Sequence, residues 1–183
     1  FRGDMNKENW QTNKLRSGLY VQKFGEKDGF FRIQSDFTKN FSRKPFISTA
    51  WAAGFSFSKS QFICDVPYDP FTPYLFFGEE MDITIRAFTH GYDFYSPSLT
   101  VVFHNYKRSH RNTFWEQHDQ RSVEILSRFR IYIRLNYFSK YDLPKGYEFI
   151  LTGMEYFPLG NERTIEEYEK MANINIKNET INH

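Results

Sequence analysis

Residues 74–115, YLFFGEEMDITIRAFTHGYDFYSPSLTVVFHNYKRSHRNTFW, gather three kinds of side chain that can do chemistry. Glu79 and Glu80 are adjacent carboxylates, and Asp82 follows one helical step on. Such a group can hold sugar hydroxyls, bind a cation or satisfy a helix N-terminus. His104 ends an apolar run, which suits either a metal ligand or a hydrogen-bonded structural histidine. Lys107, Arg108 and Arg111 come next and could clamp a diphosphate or form a solvated face. No Ser/His/Asp order, phosphate-binding loop or cysteine-rich zinc spacing competes with these groups.

The elements that must position these residues follow from the flanking pattern. Residues 78–91 read as a helix: Met81, Ile85 and Phe88 recur at helical spacing, the three carboxylates fall in the first turn, and Gly91 follows the end. Residues 94–104 read as a strand carrying His104 at its end, where open α/β sheets place ligands. Upstream, DVPYDPFTP has three prolines and must be a rigid loop. The segment PFISTAWAAGFSF suggests a strand over 52–57, with Gly54 where a ligand or another backbone comes close, and a short helix begins within 58–62. Thr113 and Glu116 have capping-box spacing ahead of a helix of roughly twenty residues. Residues 141–160 are loop-rich, Thr164 and Glu167 repeat the capping box before a short helix, and 173–183 read as a fraying tail. Residues 1–44 read as surface loops with one or two short strands, and no internal repeat appears.

Composition bounds the alternatives. A chain of 183 residues with 40% hydrophobic and 20% aromatic content suits one globular domain with large flat side chains inside, and makes aromatic walls for sugars or bases easy to build. A net charge of +2 argues against a general polyanion binder, and Glu116, Asp119 and Glu124 are interleaved with the basic residues that run from Lys107 to Arg134, so no nucleic-acid partner is expected. The single cysteine, Cys64, excludes an internal disulfide, suggests the cytoplasm, and is expected to be a buried, unreactive thiol. No run approaches the ~18 apolar residues of a membrane span. The sequons at Asn40 and Asn178 are then expected to be unmodified.

The strings AAGFSFSKSQF, VPYDP, FFGEEMDITIRAFTHGYDFYSP, VVFHNYKR, TFWE and LGNERTIEEYEKMANI together resemble the cytosolic N-acetylglucosaminyltransferases that modify hydroxyproline on a ubiquitin-ligase adaptor, with their microbial and viral relatives. More distantly, GEEMDITIR followed by a histidine at a strand end is similar to the mucin-type polypeptide N-acetylgalactosaminyltransferases. The resemblance implies an α/β fold of GT-A type, a mixed sheet flanked by helices, with 1–44 as a lead-in, 45–175 as the catalytic region and 176–183 as a tail. It implies a UDP-sugar donor, a protein or glycan acceptor, Mn2+ or Mg2+, and retention of anomeric configuration. Carried over by residue, Glu79 faces the transferred sugar and acceptor, and Asp82 is the motif's second acidic position. His104 completes the metal site. Ala53 and Gly54 lie along the donor sugar, and Lys107 or Arg108 meets the diphosphate. Apart from what the resemblance carries over, Phe76, Phe77, Trp51 and Trp115 could form the sugar and acceptor walls or simply pack in the core, and Gly78 is expected beside Phe77 at the substrate. The family's Asp-x-Asp element is not found upstream, so the chain is expected to be the carboxy-terminal, acceptor and metal-histidine part of a longer enzyme, with little activity alone. The alternative from another class is a non-catalytic protein- or glycan-binding module derived from such a half.

Overall fold

The computed structural model describes residues 16–38, 44–98, 101–102, 112–117, 120–136, 143 and 145–182. The first element among the described residues is a long hairpin, β1 (Arg16–Phe24) against β2 (Phe31–Thr38), antiparallel and irregular between Val21 and Lys23. Both strands, of 9 and 8 residues, are longer than the short strands expected within 1–44, because alternation with Lys23, Arg32 and Gln34 masks them. Short strands β3 (Phe46–Ser48) and β4 (Phe94–Ser96) pair antiparallel, their inward Ser48 and Ser96 hydroxyls 2.6 Å apart while Ile47 and Tyr95 face solvent. The third pair is β5 (Ile174–Asn175) with β6 (Thr180–Ile181).

Helices fill the space between them: α1 (Gln61–Asp65), α2 (Glu79–Thr89), α3 (Phe114–Gln117), α4 (Arg121–Arg134) and α5 (Ile165–Ala172), with 3-10 turns at Glu148–Leu151 and Met154–Tyr156. Helix α2 lies at the centre, with every residue from Met81 to Thr89 buried. Met81, Ile85 and Phe88 enter the main core with Val21, Phe30, Phe31, Ile131, Tyr132 and Tyr168. On another face Ile83 and Ala87 meet Trp51 and Val66 in a smaller core.

The sequence expectations need five corrections. The described strands form three two-stranded antiparallel sheets, not one mixed sheet. Residues 52–57 are turn and loop: the Ala53 N–H donates to Glu80 Oε1 at 2.9 Å and, just before the segment, the Trp51 N–H donates to Thr84 Oγ1 at 3.0 Å, so α2 side chains and not a neighbouring strand take these donors. Val101 and Val102 are exposed and outside any strand, while Leu99 and Phe103 lie outside the described residues. Cys64 is exposed, since α1 buries none of its residues.

The fifth correction is the tail, which is tied down. Ile174 and Ile176 are buried, Asn173 adopts a left-handed conformation with φ 56°, and its side chain donates to the Asn182 carbonyl at 2.6 Å. Ahead of it the capping box at α5 is complete: the Glu167 N–H donates to Thr164 Oγ1 at 3.1 Å, and the Thr164 N–H to Glu167 Oε2 at 2.8 Å. Thr164→Ala should therefore cost about 1 kcal/mol. A urea midpoint unchanged in that variant would mean that neighbours alone hold α5.

Candidate functional site

Three segments meet at the start of α2: its first turn, the loop at 50–56 and the loop at 66–73. The helix begins at Gly78, whose φ of 111° turns the chain, and no side chain caps it. Its free N–H groups and the positive end of its dipole therefore face a surface where Glu79 and Glu80 stand. Glu80 reaches to the Ala53 N–H and so clasps the 50–56 loop onto the helix. Tyr68, on the 66–73 loop, acts on Glu79 by favouring its ionised form against the larger effect of burial. Tyr68 in turn sets its ring edge-on to Trp51, with centroids 6.3 Å apart.

Both glutamates titrate above the usual carboxylate range. Burial is the main cause for each; the Glu80 charge adds to the rise at Glu79, the Tyr68 hydrogen bond partly offsets it, and Asp82 adds a smaller push upward. Burial also raises the Tyr68 hydroxyl, followed by the charge of Glu79. A half-buried carboxylate with a shifted pKa on an otherwise open surface is a functional candidate on physical grounds.

Gly54 and Ala53 are exposed beside this pair, and a Cβ at Gly54 would meet no atom within 4 Å. Trp51 is mostly core: its ring is buried against Val66, Ile83 and Ala87, and its indole N–H donates to Ser56 Oγ at 2.8 Å. Phe76 and Phe77 are partly exposed and meet edge to face at 5.0 Å. The Arg32 guanidinium lies 3.8 Å from the Phe77 ring centroid and pairs with Asp28 at 2.6 Å, so the β1–β2 hairpin supports this aromatic wall.

Asp82 does not stand with the glutamates. It is 4% exposed; its Oδ1 accepts from Arg134 Nη1 at 2.6 Å, and its Oδ2 is 3.5 Å from Arg86 Nη1. The cause is helical geometry, which points position 82 inward with Arg86 one turn on, toward α4. Asp69 completes the cluster, accepting from Arg130 Nε at 2.6 Å and from Arg134 Nη2. Two carboxylates and three guanidinia thus lie buried between α2, α4 and the 66–73 loop. Arg86 Nη1 also donates to the Pro67 carbonyl at 2.7 Å, and Arg130 Nη1 to the Thr152 carbonyl at 2.9 Å.

Other expected site residues are not brought here by the described structure. His104, Lys107 and Arg108 lie outside the described residues, and of Trp115 the structure gives only its place in α3. Among the described residues no three His, Cys, Asp or Glu side chains are grouped to hold a metal ion, so the described part does not by itself supply a donor set. Nor is any helix there long and apolar enough to cross a membrane.

Sequence reasoning missed Tyr68, Asp69 and the arginines of the cluster. Tyr68 and Asp69 sat inside a proline-rich string read only as a rigid loop, although a tyrosine and a carboxylate fixed there are well placed to serve a site. Arg86, Arg130 and Arg134 have helical spacing that also fits a solvated face, and nothing local distinguishes the two.

No curated protein and no solved structure matches the chain. A family model described as Glycosyltransferase (GlcNAc) does match, over residues 1–178, which includes every residue of the α2 site and of the buried cluster beneath it. The chain therefore belongs to the GlcNAc glycosyltransferase family.

Proposed function

We propose that the chain carries the acceptor side of a retaining transferase that moves N-acetylglucosamine from UDP-N-acetylglucosamine to a hydroxyl, hydroxyproline on a protein being the favoured acceptor. Membership of the family supports glycosyl transfer, and the sequence resemblance supports the finer choices of donor, acceptor, GT-A-like architecture and cytoplasmic setting. The observation that carries the reading is Glu79: a half-buried carboxylate at a helix N-terminus, beside the small residues Ala53 and Gly54 and an aromatic wall.

In the transfer the bond from the anomeric carbon to the diphosphate oxygen breaks, and a bond to the acceptor oxygen forms. The hydroxyl proton ends on the departing diphosphate. As the first bond breaks, the sugar gains oxocarbenium character, which a nearby carboxylate stabilises more in the transition state than in the ground state. Glu79 would do this. Glu80 would hold the 50–56 loop at its contact distance through the Ala53 N–H. Asp82, inside the ion cluster, would act by fixing the orientation of α2.

A divalent cation, Mn2+ or Mg2+, would neutralise charge on the leaving diphosphate when bound, and His104 is the ligand this chain would offer. Lys107 and Arg108 would serve the same side, while Phe77, Gly78 and Trp115 would line the sugar and acceptor.

The test is nucleotide-sugar-dependent transfer to a hydroxyproline peptide by the natural full-length polypeptide carrying Glu79→Gln. The amide keeps the shape and removes the charge, so turnover should fall on the order of 10²-fold with little change in donor affinity. Glu80→Gln retains an acceptor for the Ala53 N–H and should lose far less. Binding of the acceptor without transfer in the wild type would favour the binding-module reading. Small, equal effects at both glutamates would remove Glu79 from the chemistry.

A further inference from the structure

We propose that Arg32 is a positioning residue for the acceptor: its guanidinium, locked to Asp28, lies on the Phe77 ring and holds that ring as a wall for the hydroxyproline ring beside Glu79. The proposal rests on the transferase reading above. The guanidinium carbon of Arg32 stands 3.8 Å from the Phe77 ring centroid, which is direct contact with the ring face. Arg32 is itself fixed twice: Nη2 donates to Asp28 Oδ2 at 2.6 Å, and Nη1 to the Phe30 carbonyl at 2.9 Å. Asp28 is buried, and its Oδ1 accepts from the Phe30 N–H at 3.1 Å.

The β1–β2 turn is built to seat this pair. A Cβ at Gly25 would collide with Arg32 Nη2 and Asp28 Oδ1, so the turn has room for the ion pair only while position 25 is glycine. Gly25 cannot drift away from it: its N–H donates to the Phe30 carbonyl at 2.9 Å, and its carbonyl accepts from the Gly29 N–H at 2.8 Å. The hairpin thus reaches the start of α2 at two consecutive residues, with Arg32 on Phe77 and the Phe30 ring against Gly78. Phe77 keeps 38% of its surface exposed, and Phe76 meets it edge to face at 5.0 Å. A half-exposed ring gains little from burial, so these contacts decide its orientation. Ordering it before the substrate arrives removes part of the entropy cost of binding.

The two anchors beside Glu79 divide the substrates between them. The small residues Ala53 and Gly54, assigned to the donor sugar, sit on a loop clasped by Glu80 through the Ala53 N–H. Phe77 is anchored by the hairpin instead, which leaves it to the acceptor. An aromatic face suits the C–H edges of a pyrrolidine ring, being apolar and weakly negative. Because Asp28 neutralises Arg32, the pair orders the ring without setting a net positive charge beside an oxocarbenium-like sugar.

The experiment uses the natural full-length polypeptide, UDP-N-acetylglucosamine and a hydroxyproline peptide. The contact is read by NMR of arginine-labelled protein: the Arg32 Nε–H, shielded by the Phe77 ring, should move downfield in Phe77→Leu. The role is read by separating KM from kcat. In Arg32→Met the acceptor KM should rise roughly two- to fivefold, the worth of a cation on a partly exposed ring. The fall in kcat/KM should be carried by that KM, with the donor KM in place. Gly25→Ala displaces the same guanidinium without removing it and should raise the acceptor KM as well. In a Phe77→Leu background Arg32→Met should raise it no further, whereas a general loss of structure would move kcat and both KM values in either background. An Arg32 resonance unmoved by Phe77→Leu overturns the contact. An acceptor KM unmoved in both Arg32→Met and Gly25→Ala, or a rise in the donor KM alone, overturns the role. A wild type that transfers no sugar refutes the transferase reading itself, and the NMR measurement then still decides whether Arg32 holds Phe77.

Discussion

Replacing Asp69 by asparagine should cost about 3–5 kcal/mol, a large part of the roughly 5–15 kcal/mol that holds a domain together. Asp69 and Asp82 are the two carboxylates facing three buried guanidinia, so the cluster already carries one excess positive charge. Arg86 Nη2, Arg130 Nη2 and Arg134 Nε find no acceptor among the described residues, so no spare acceptor takes over when Asp69 is neutralised. The measurement is the denaturant midpoint of Asp69→Asn, alone and combined with Arg130→Met. The double variant should lose less than the sum of the singles, because the methionine removes a guanidinium that would otherwise stay buried and uncompensated. A loss under about 1 kcal/mol, the range of an exposed ion pair, would contradict the buried cluster.

The same cluster sets a pH dependence. Burial pushes the Asp69 carboxyl up, but hydrogen bonds from Arg130, the Phe71 N–H and Arg134, with the Arg134 charge, bring it below its ordinary value. A carboxyl depressed in the folded state contributes stability that is present above its unfolded pKa, about 3.9, and is lost as the pH falls through the folded value. The difference between wild type and Asp69→Asn should therefore be full at neutral pH and shrink below that range. Glu79 and Glu80 have the opposite sign. Raised by burial, they bind protons more readily in the folded state, and their ionisation takes stability away as the pH rises through their folded values. A carboxylate pair whose ionisation is disfavoured by the fold is what a working site looks like, and Asp69 beneath it is what a structural one looks like.

The first turn of α2 was legible in the sequence because helical spacing, acidic residues and a terminal glycine all agree there. So was α5, whose capping box is purely local. The strand at 52–57 misled because its apolar residues suit a pleat, while the backbone donors of Trp51 and Ala53 go to Thr84 and Glu80, polar side chains thirty or so positions away. Asp82 misled for a related reason. A carboxylate in a first helical turn reads the same whether it faces solvent or a guanidinium on α4, and only the packing of α4 decides. The tail misled because a two-residue strand pair has no periodicity to detect, although Ile174 and Ile176 reach the main core.

Gly78→Ala should be nearly as damaging as the loss of Asp69, and it should reach the chemistry as well. Gly78 has φ 111° and ψ −28°, a region that a side chain enters at a cost on the order of 1–3 kcal/mol. A Cβ there would also stand 2.5 Å from the Phe30 ring. That ring cannot step aside: it is fully buried, it stacks on Tyr132 at 4.8 Å, and the Tyr132 hydroxyl donates to the Asp28 carbonyl at 2.5 Å beside it. Overpacking of this kind adds on the order of 1–3 kcal/mol. Relief can come only from moving the hairpin tip or the start of α2, and the second option displaces Glu79 and shifts Glu80 away from the Ala53 N–H. Denaturant midpoint and transfer rate should therefore fall together in Gly78→Ala. Adding Phe30→Leu makes room for the methyl group but leaves the backbone strain, so the pair should regain part of the stability lost to the clash beyond what the two single changes predict. A Gly78→Ala protein as stable and active as the wild type would mean that the β1–β2 turn does not dock against the start of α2, and that the glutamates are held by their loops alone.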